Sequence, residues 1–197
     1  PRQGYTENGI FYHPTLRFQF PVPSGYQVIN QPSQVVLLES NQKAIMVFTI
    51  ASDASSAQAA GVNFAGQEGI TVLEQGATRV NGLSAYDVRA TATDDQGTEF
   101  QLVARYIEYG GSVYSFLSYT TRSSYSTYQS AFYQTLDGFR QLTDQSKINV
   151  SPNRVDVITT TRSGTFQSFL PANLPNGFTP EDVAILNQVN LTDTIPS

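Results

Sequence analysis

The 197-residue chain has no cysteine and no tryptophan, and only one histidine, His13. Without cysteine, disulfides, thiolate metal sites and cysteine nucleophiles are excluded. With a single imidazole, a two-histidine zinc helix is excluded as well. Lysine is nearly missing; Lys43 and Lys147 are the two present. Charged residues make up 14% of the chain and the net charge is −5. Nucleic-acid binding requires a basic footprint, and none is present. No basic cluster suits an anionic membrane surface either. There is no Gly-x-Ser-x-Gly elbow and no Gly-rich phosphate loop with its lysine. No apolar run is long enough to span a bilayer as a helix. The longest, Ala44 to Ala51, suits a buried strand.

Apolar residues reach 40% and aromatic residues 12%, which supports a packed core rather than a disordered chain. The length fits one ordinary domain plus a small one. Gln, Ser, Thr and Tyr take the surface role that lysine usually fills. That substitution points to an extracytoplasmic protein, of the periplasm or cell envelope. The chain begins at Pro1 and carries no signal peptide. The expectation is therefore a fragment or processed product whose missing part holds any activity.

Residues 1–14 read as an irregular lead-in. Leu16 to Phe20 alternates apolar and polar, as a strand does, and Pro21 to Gly25 ends it with turn chemistry. Val35 to Glu39 and Ala44 to Ala51 form a hairpin about Asn41-Gln42. In the second of these, Ala44, Met46, Phe48 and Ile50 lie on one side and Ile45 and Val47 on the other, a pattern for a strand covered on both faces. Ser55 to Phe64 predicts a short helix capped near Asp53. Strands follow at Ile70 to Glu74 and Thr78 to Val80, then a hairpin turn at Asn81-Gly82. Leu83 to Thr93, Thr98 to Tyr109 and Ser112 to Thr120 complete a meander. Ser123 to Phe139 predicts the main helix, capped by Ser123 or Ser124. Its Tyr125, Tyr128, Phe132, Leu136 and Phe139 recur with helical period. Residues 143–153 are polar and contain Pro152, as a linker would.

The tail runs from a β-branched stretch, Val157 to Thr161, through Ser163-Gly164-Thr165-Phe166 to a second helix. Thr179 at the N-cap, Pro180 at N1, and Glu181 and Asp182 in the first turn specify that helix. Phe178 and Val183 occupy staple positions, and Asn187 ends it. This order resembles a LysM module, a β-α-α-β unit. The resemblance implies a groove for N-acetylglucosamine chains, with Ser163, Gly164, Thr165 and Asn187 as candidate glycan- or partner-binding residues. Such modules carry Gly-Asp-Thr where this chain has Ser163-Gly164-Thr165. Replacing the Asp removes a carboxylate, and charge-assisted hydrogen bonds are about twice as strong as neutral ones. The chain reaches Ser197 before a closing strand is evident.

The first unit is similar to the PsbP-like fold, shared with Mog-type proteins. The pieces that carry the likeness are Phe11-Tyr12-His13-Pro14, Leu16 to Tyr26, Val80-Asn81-Gly82-Leu83-Ser84-Ala85, Arg105 to Tyr114, and Phe132 to Leu142. With the tail, the whole order resembles the C-terminal half of bacterial BepA-like zinc metallopeptidases of family M forty-eight. The expected fold is α+β: an antiparallel sheet with flanking helices over residues 10–142, a linker over 143–153, and the LysM-like module over 154–197. Catalysis in that family needs a His-Glu-x-x-His helix, which this chain lacks. Zinc is expected only in a missing N-terminal catalytic domain, with no cofactor here. The implied role is a non-catalytic accessory region that engages substrate, a protein partner, its own peptidase domain or the cell wall. A free-standing peptidoglycan-binding envelope protein is the alternative.

The remaining polar candidates have structural readings. His13 precedes Pro14 with no second histidine to help it. Asp94 and Asp95 lie in a polar turn where both stay solvated, so they make no acid–base pair with Glu108 and Arg105. Tyr106, Tyr109, Tyr114, Tyr119, Tyr125 and Tyr128 could line a groove, but they equally suit strands and core; packing is the preferred reading. Metal analysis of the purified chain should find no stoichiometric zinc. One tightly held zinc per chain would overturn the non-catalytic reading.

Overall fold

The computed structural model describes residues 4–51, 53–150, 162–170, 179–181, 184 and 188–196. The chain divides into two compact units, Pro1–Val150 and Ser151–Ser197. In chain order the first unit holds β1 (Tyr5–Glu7), β2 (Ile10–His13), β3 (Phe18–Pro21), β4 (Tyr26–Asn30), β5 (Gln34–Glu39), β6 (Ala44–Ile50) and α1 (Ala57–Ala65). Then come β7 (Ile70–Val80), β8 (Leu83–Thr93), β9 (Glu99–Tyr109), β10 (Ser112–Thr121), α2 (Tyr125–Gly138), β11 (Arg140–Gln141) and α3 (Gln145–Ile148). Two antiparallel sheets result, ordered β1-β2-β3-β11 and β4-β5-β6-β10-β9-β8-β7. The architecture is α+β, as the sequence predicts.

Phenylalanine joins the two sheets. Strand alternation puts Phe11, His13, Phe18 and Phe20 on one face of the small sheet. Met46, Phe48, Tyr114 and Phe116 share one face of the large sheet by their register. The rings meet: Phe18 and Phe20 lie 5.2 and 5.3 Å from Phe48, and Phe20 is edge-on to Phe116 at 5.2 Å. Beside the small sheet, α2 closes the same core with Tyr125, Phe132, Leu136 and Phe139. Burial of each such side chain contributes about 1.5–3 kcal/mol. Thr135 is wholly buried on this helix, and its hydroxyl donates to the Pro21 carbonyl at 2.7 Å. The polar group in the core is therefore satisfied.

On the opposite face of the large sheet, α1 packs over Tyr86, Val88, Ala90, Leu102 and Ala104. Gly61 makes the close approach possible. A Cβ there would stand 2.2 Å from the Tyr86 ring. The helix starts at Ser56, not near Asp53. The Ser56 hydroxyl accepts from the Ala59 N–H, while the Glu108 carboxylate accepts from the Ala57 N–H at 2.9 Å. Half of that cap comes from a strand 51 residues away, which a local reading cannot see.

Several other expectations change. The lead-in is a hairpin, because Asn8 and Gly9 have φ of 49° and 73°, the left-handed pair of a tight turn. Strand β4 went unread between Gly25 and Gln31. Residues 70–80 form one strand with a bulge between Val72 and Glu74 rather than two strands. Neither Ser123 nor Ser124 caps α2 with its side chain; a 3₁₀ turn, Arg122–Ser124, leads into it instead. The far end of α2 is held by Asn81 in the β7–β8 turn, whose amide donates to the carbonyls of Asp137 and Phe139. The stretch read as linker contains α3, capped by Asp144. Ile148 and Leu142 pack on Tyr12, the outer face of the small sheet. Tyr5 donates to the Lys147 carbonyl and Lys147 pairs with Glu7.

In the second unit, β12 (Gly164–Thr165) pairs antiparallel with β13 (Thr194–Ile195). A closing strand is therefore present before Ser197. A 3₁₀ turn, Phe166–Phe169, follows β12. Pro180, Glu181 and Ala184 are helical, and Ala184 is buried. The β-branched stretch 157–161 and the Phe178–Val183 staple lie outside the described residues.

Phe132 touches no solvent and faces both sheets. Phe132→Ala should cost about 3–5 kcal/mol. Chemical denaturation checks this: the variant's midpoint should fall well below that of the wild type at an unchanged slope.

Candidate functional site

The two sheets have unequal width, and the small one stops short of the large one's β4 edge. What remains there is a cleft of about 540 Å³, lined on one side by Tyr5, Thr6 and Gly9 and on the other by Tyr26, Val28 and Asn30. Val22, Pro23, Ser24 and Gly25 form its end. The sequence sets this wall by simple alternation. Tyr26, Val28 and Asn30 fall opposite Glu39, Leu37 and Val35 of β5. Val35 and Leu37 are core, so the three β4 side chains share the inner face. On the other wall Thr6 pairs with the buried Phe11 and shares its face. One strap crosses the space: the Asn30 side-chain amide donates to the Gly4 carbonyl at 3.1 Å.

None of the ten lining residues is charged or an imidazole. The hydroxyl of Tyr26 is buried and has no hydrogen-bond partner among the described residues. Burial, aided by the Glu39 carboxylate, pushes its pKa up to about 12. It therefore stays a neutral phenol at any physiological pH. An apolar wall with neutral polar atoms suits recognition by contact and main-chain hydrogen bonding. It carries no carboxylate, imidazole or amine.

The charged groups that could have supplied chemistry have structural partners. Arg105 is 4% exposed and makes a fork with Asp87, at 2.7 and 2.8 Å, plus a third bond to Asp137 at 2.6 Å. Burial alone would lower its pKa, but the two carboxylates more than offset that and hold it above the ordinary value. The network ties α2 to β8 and β9. Glu108 caps α1 and lines a second, smaller hollow of about 430 Å³ with Ser56, Gln58 and Arg79. Asp94 accepts from the N–H groups of Gln96 and Thr98 and so shapes its turn. His13 is 9% exposed and lies tilted against the Phe18 ring at 5.1 Å, and its Nδ1 accepts from the Leu16 N–H. Among the described residues no group of three His, Asp or Glu could hold a metal ion.

The tyrosines do not gather into a groove. Tyr114 and Tyr125 are core, Tyr106 and Tyr119 pack toward α1, and Tyr109 and Tyr128 lie against the phenylalanine layer. In the tail, Ser163 is exposed just before β12. Gly164 and Thr165 are in β12, opposite Ile195 and Thr194. Gly164 does not have a left-handed backbone conformation. It is glycine because a Cβ would stand 2.7 Å from the Ser168 hydroxyl and 3.2 Å from the Phe169 ring. Asn187 lies outside the described residues. The cleft itself was missed, since β4 and the β1–β2 hairpin were both unread. Asn8-Gly9 between two alternating runs was the signal that could have found half of it.

These features define a two-sheet α+β domain with a neutral cleft at its open edge. No protein-family model matches the chain, and no curated protein matches it. Solved structures do. Cyanobacterial PsbP (CyanoP) from Synechocystis sp. PCC 6803 is similar at 17% identity and a TM-score of 0.51, over 71% of this chain and 91% of that one. LpqN, involved in cell envelope biogenesis of Mycobacterium tuberculosis, is similar at 14% identity and a TM-score of 0.51, over 64% and 83%. The fold is PsbP-like.

His13 makes stability depend on pH. Burial disfavours the imidazolium, so its folded-state pKa lies below the ordinary 6.5. The unfolded chain then binds the proton first. The His13 contribution is complete above pH 6.5 and is lost as the pH falls from there through the lowered folded-state value. Stability measured by denaturation across that window should decline in the wild type and be flatter in His13→Gln. Equal slopes would refute it.

Proposed function

We propose that this chain is a non-catalytic binding region of an extracytoplasmic protein, and specifically the accessory region of a zinc metallopeptidase that engages a polypeptide substrate or partner. The observation that carries the reading is the uncharged lining of the cleft between β4 and the β1–β2 hairpin. Such a wall favours recognition of an uncharged chain and carries no carboxylate, imidazole or amine. The commitment of Arg105, Glu108 and His13 to structural partners supports the same view. The cell-envelope setting draws support from the description of LpqN, which shares the fold, and from the near absence of lysine. The peptidase assignment rests on the order of the motifs along the chain, with the LysM-like tail as a spacer or weak glycan contact. Zinc chemistry belongs to a separate catalytic domain, because the residues here do not fit a zinc site.

Binding of unfolded casein and of chitin oligomers to the full chain, each followed by calorimetry, tests the reading. Saturable casein binding without cleavage, with weak or absent oligomer binding, is expected. Cleavage of casein would overturn the non-catalytic assignment. Tight oligomer binding abolished by mutating Gly164 or Thr165, with no casein binding, would replace it with a peptidoglycan-binding role.

A further inference from the structure

We infer that β4 is a docking edge on which an extended polypeptide segment adds as an eighth strand, with every second side chain seated in the adjoining cleft. The inference rests on the polypeptide-binding reading above and gives it a location and a mode. Among the described residues, strand β4 ends the large sheet and has β5 as its single strand neighbour. Two backbone bonds bracket that pair: Ser40 N–H to Gly25 C=O at 2.8 Å, and Gln31 N–H to Gln34 C=O at 2.9 Å. In an antiparallel ladder the bonded residues alternate. Gln27 and Ile29 therefore face β5, and the N–H and C=O of Val28 point away from it. The Tyr26 N–H on that side is already bonded to the Pro23 carbonyl at 3.2 Å, so the outward N–H and C=O of Val28 are the template for another strand.

Sheet edges are normally guarded, and the two ends of this sheet differ in that respect. The far edge, β7, has a bulge between Val72 and Glu74, and it carries Glu74 and Arg79. Both devices discourage pairing. Strand β4 reads Tyr-Gln-Val-Ile-Asn. It has no charge, no proline and no register shift against β5.

The cleft selects what the edge would accept. Tyr26, Val28 and Asn30 are the inner-face residues of β4, so alternate residues of an added strand would project onto the same face. That face looks across about 540 Å³ toward Thr6 and Gly9, two small residues. The room and the neutral lining suit apolar side chains; a buried charge there would have no partner. On the other face, Ile29 is 36% exposed and would be covered by the intervening residues. The occupant is therefore an uncharged, extended segment with apolar residues at alternate positions, bound by strand addition.

The test uses the full chain and an acetylated heptapeptide of alternating Thr and Val. Saturable binding is expected, with slowed hydrogen exchange at the Val28 amide. Two N-methylated versions of the peptide separate strand addition from simple apolar contact. One carries methyl groups on the odd amides and the other on the even ones. One version should lose at least about tenfold in affinity and the other should bind as before, because only one set of amides faces β4. Val28→Pro removes the outward N–H without breaking the bonds to β5, and it should weaken binding similarly. The methylated pair keeps the test valid if that variant does not fold. Equal binding of both methylated peptides, no saturable binding of the parent peptide, or protection at β7 instead of β4 would each overturn the inference. Concentration-dependent protection of Val28 without peptide would assign the edge to a second copy and overturn it too. Casein binding that persists without protection of Val28 would remove this site while leaving the polypeptide-binding reading intact. Loss of both would remove both.

Discussion

Everything in the first unit depends on one packing constraint: Phe48 must be covered. It sits mid-strand in β6, 5% exposed, with Phe18, Phe20, Tyr114, Phe116 and Phe139 all within 6.3 Å ring to ring. A sheet with this much aromatic surface on one face is unstable in water until another layer closes it. The small sheet brings Phe18 and Phe20, and α2 with its C-cap brings Phe139. Neither is wide enough alone. The core is thus roofed by two different elements side by side, which explains why the C-terminal end of α2 is fixed so firmly. Arg105 holds it to the sheet through Asp137, and Asn81 holds its last carbonyls.

The same constraint produces the cleft. A four-stranded roof and one helix cover a seven-stranded floor, and the shortfall falls at β4. Had the β1–β2 hairpin been longer, it would have closed over Val28 and sealed the edge. Instead Gly9 turns the chain back after three residues of β1. The Asn30 amide reaches across, to the Gly4 carbonyl. Gly4 itself is pressed against the Phe11 ring; a Cβ there would stand 2.5 Å from it.

Legibility followed the range of the interactions. Hairpins written in local chemistry were read correctly, as at Asn81-Gly82, where φ is 46° and 83°, and at Gly110-Gly111, where it is 60° and 80°. The α2 stripe was read because helical period is a local property; Phe132, Leu136 and Phe139 are indeed wholly buried. Strand β4 failed because Gln27 and Asn30 dilute its pattern and its burial depends on a sheet formed elsewhere in the chain. The lead-in failed because Tyr5-Thr6-Glu7 is too short for periodicity to register, though Asn8-Gly9 marked the turn. Glu108 looked like loose chemistry, and nothing near it in sequence reveals that it caps a helix 51 residues away. The candidate cleft lay wholly on these two misread elements, so its residues could not be named in advance.

That pattern bears on how few charges the domain carries. With 27 charged residues in the chain, each one buried or bonded at a junction is unavailable elsewhere. Arg105 and Asp137 pin a helix, Glu108 caps another, Glu39 organises its turn by accepting from the N–H groups of Asn41 and Lys43, and Lys147 joins Glu7 to hold α3. Charge here does the work of placing elements that hydrophobic burial leaves imprecise. Among the described residues the β4 edge has neither a charge of its own nor a second strand beside it. An edge so exposed is an aggregation liability, and the proteins that retain one use it for pairing. The absence of a guard at β4, beside a β7 edge that has one, is the asymmetry that distinguishes a binding edge from a neglected one.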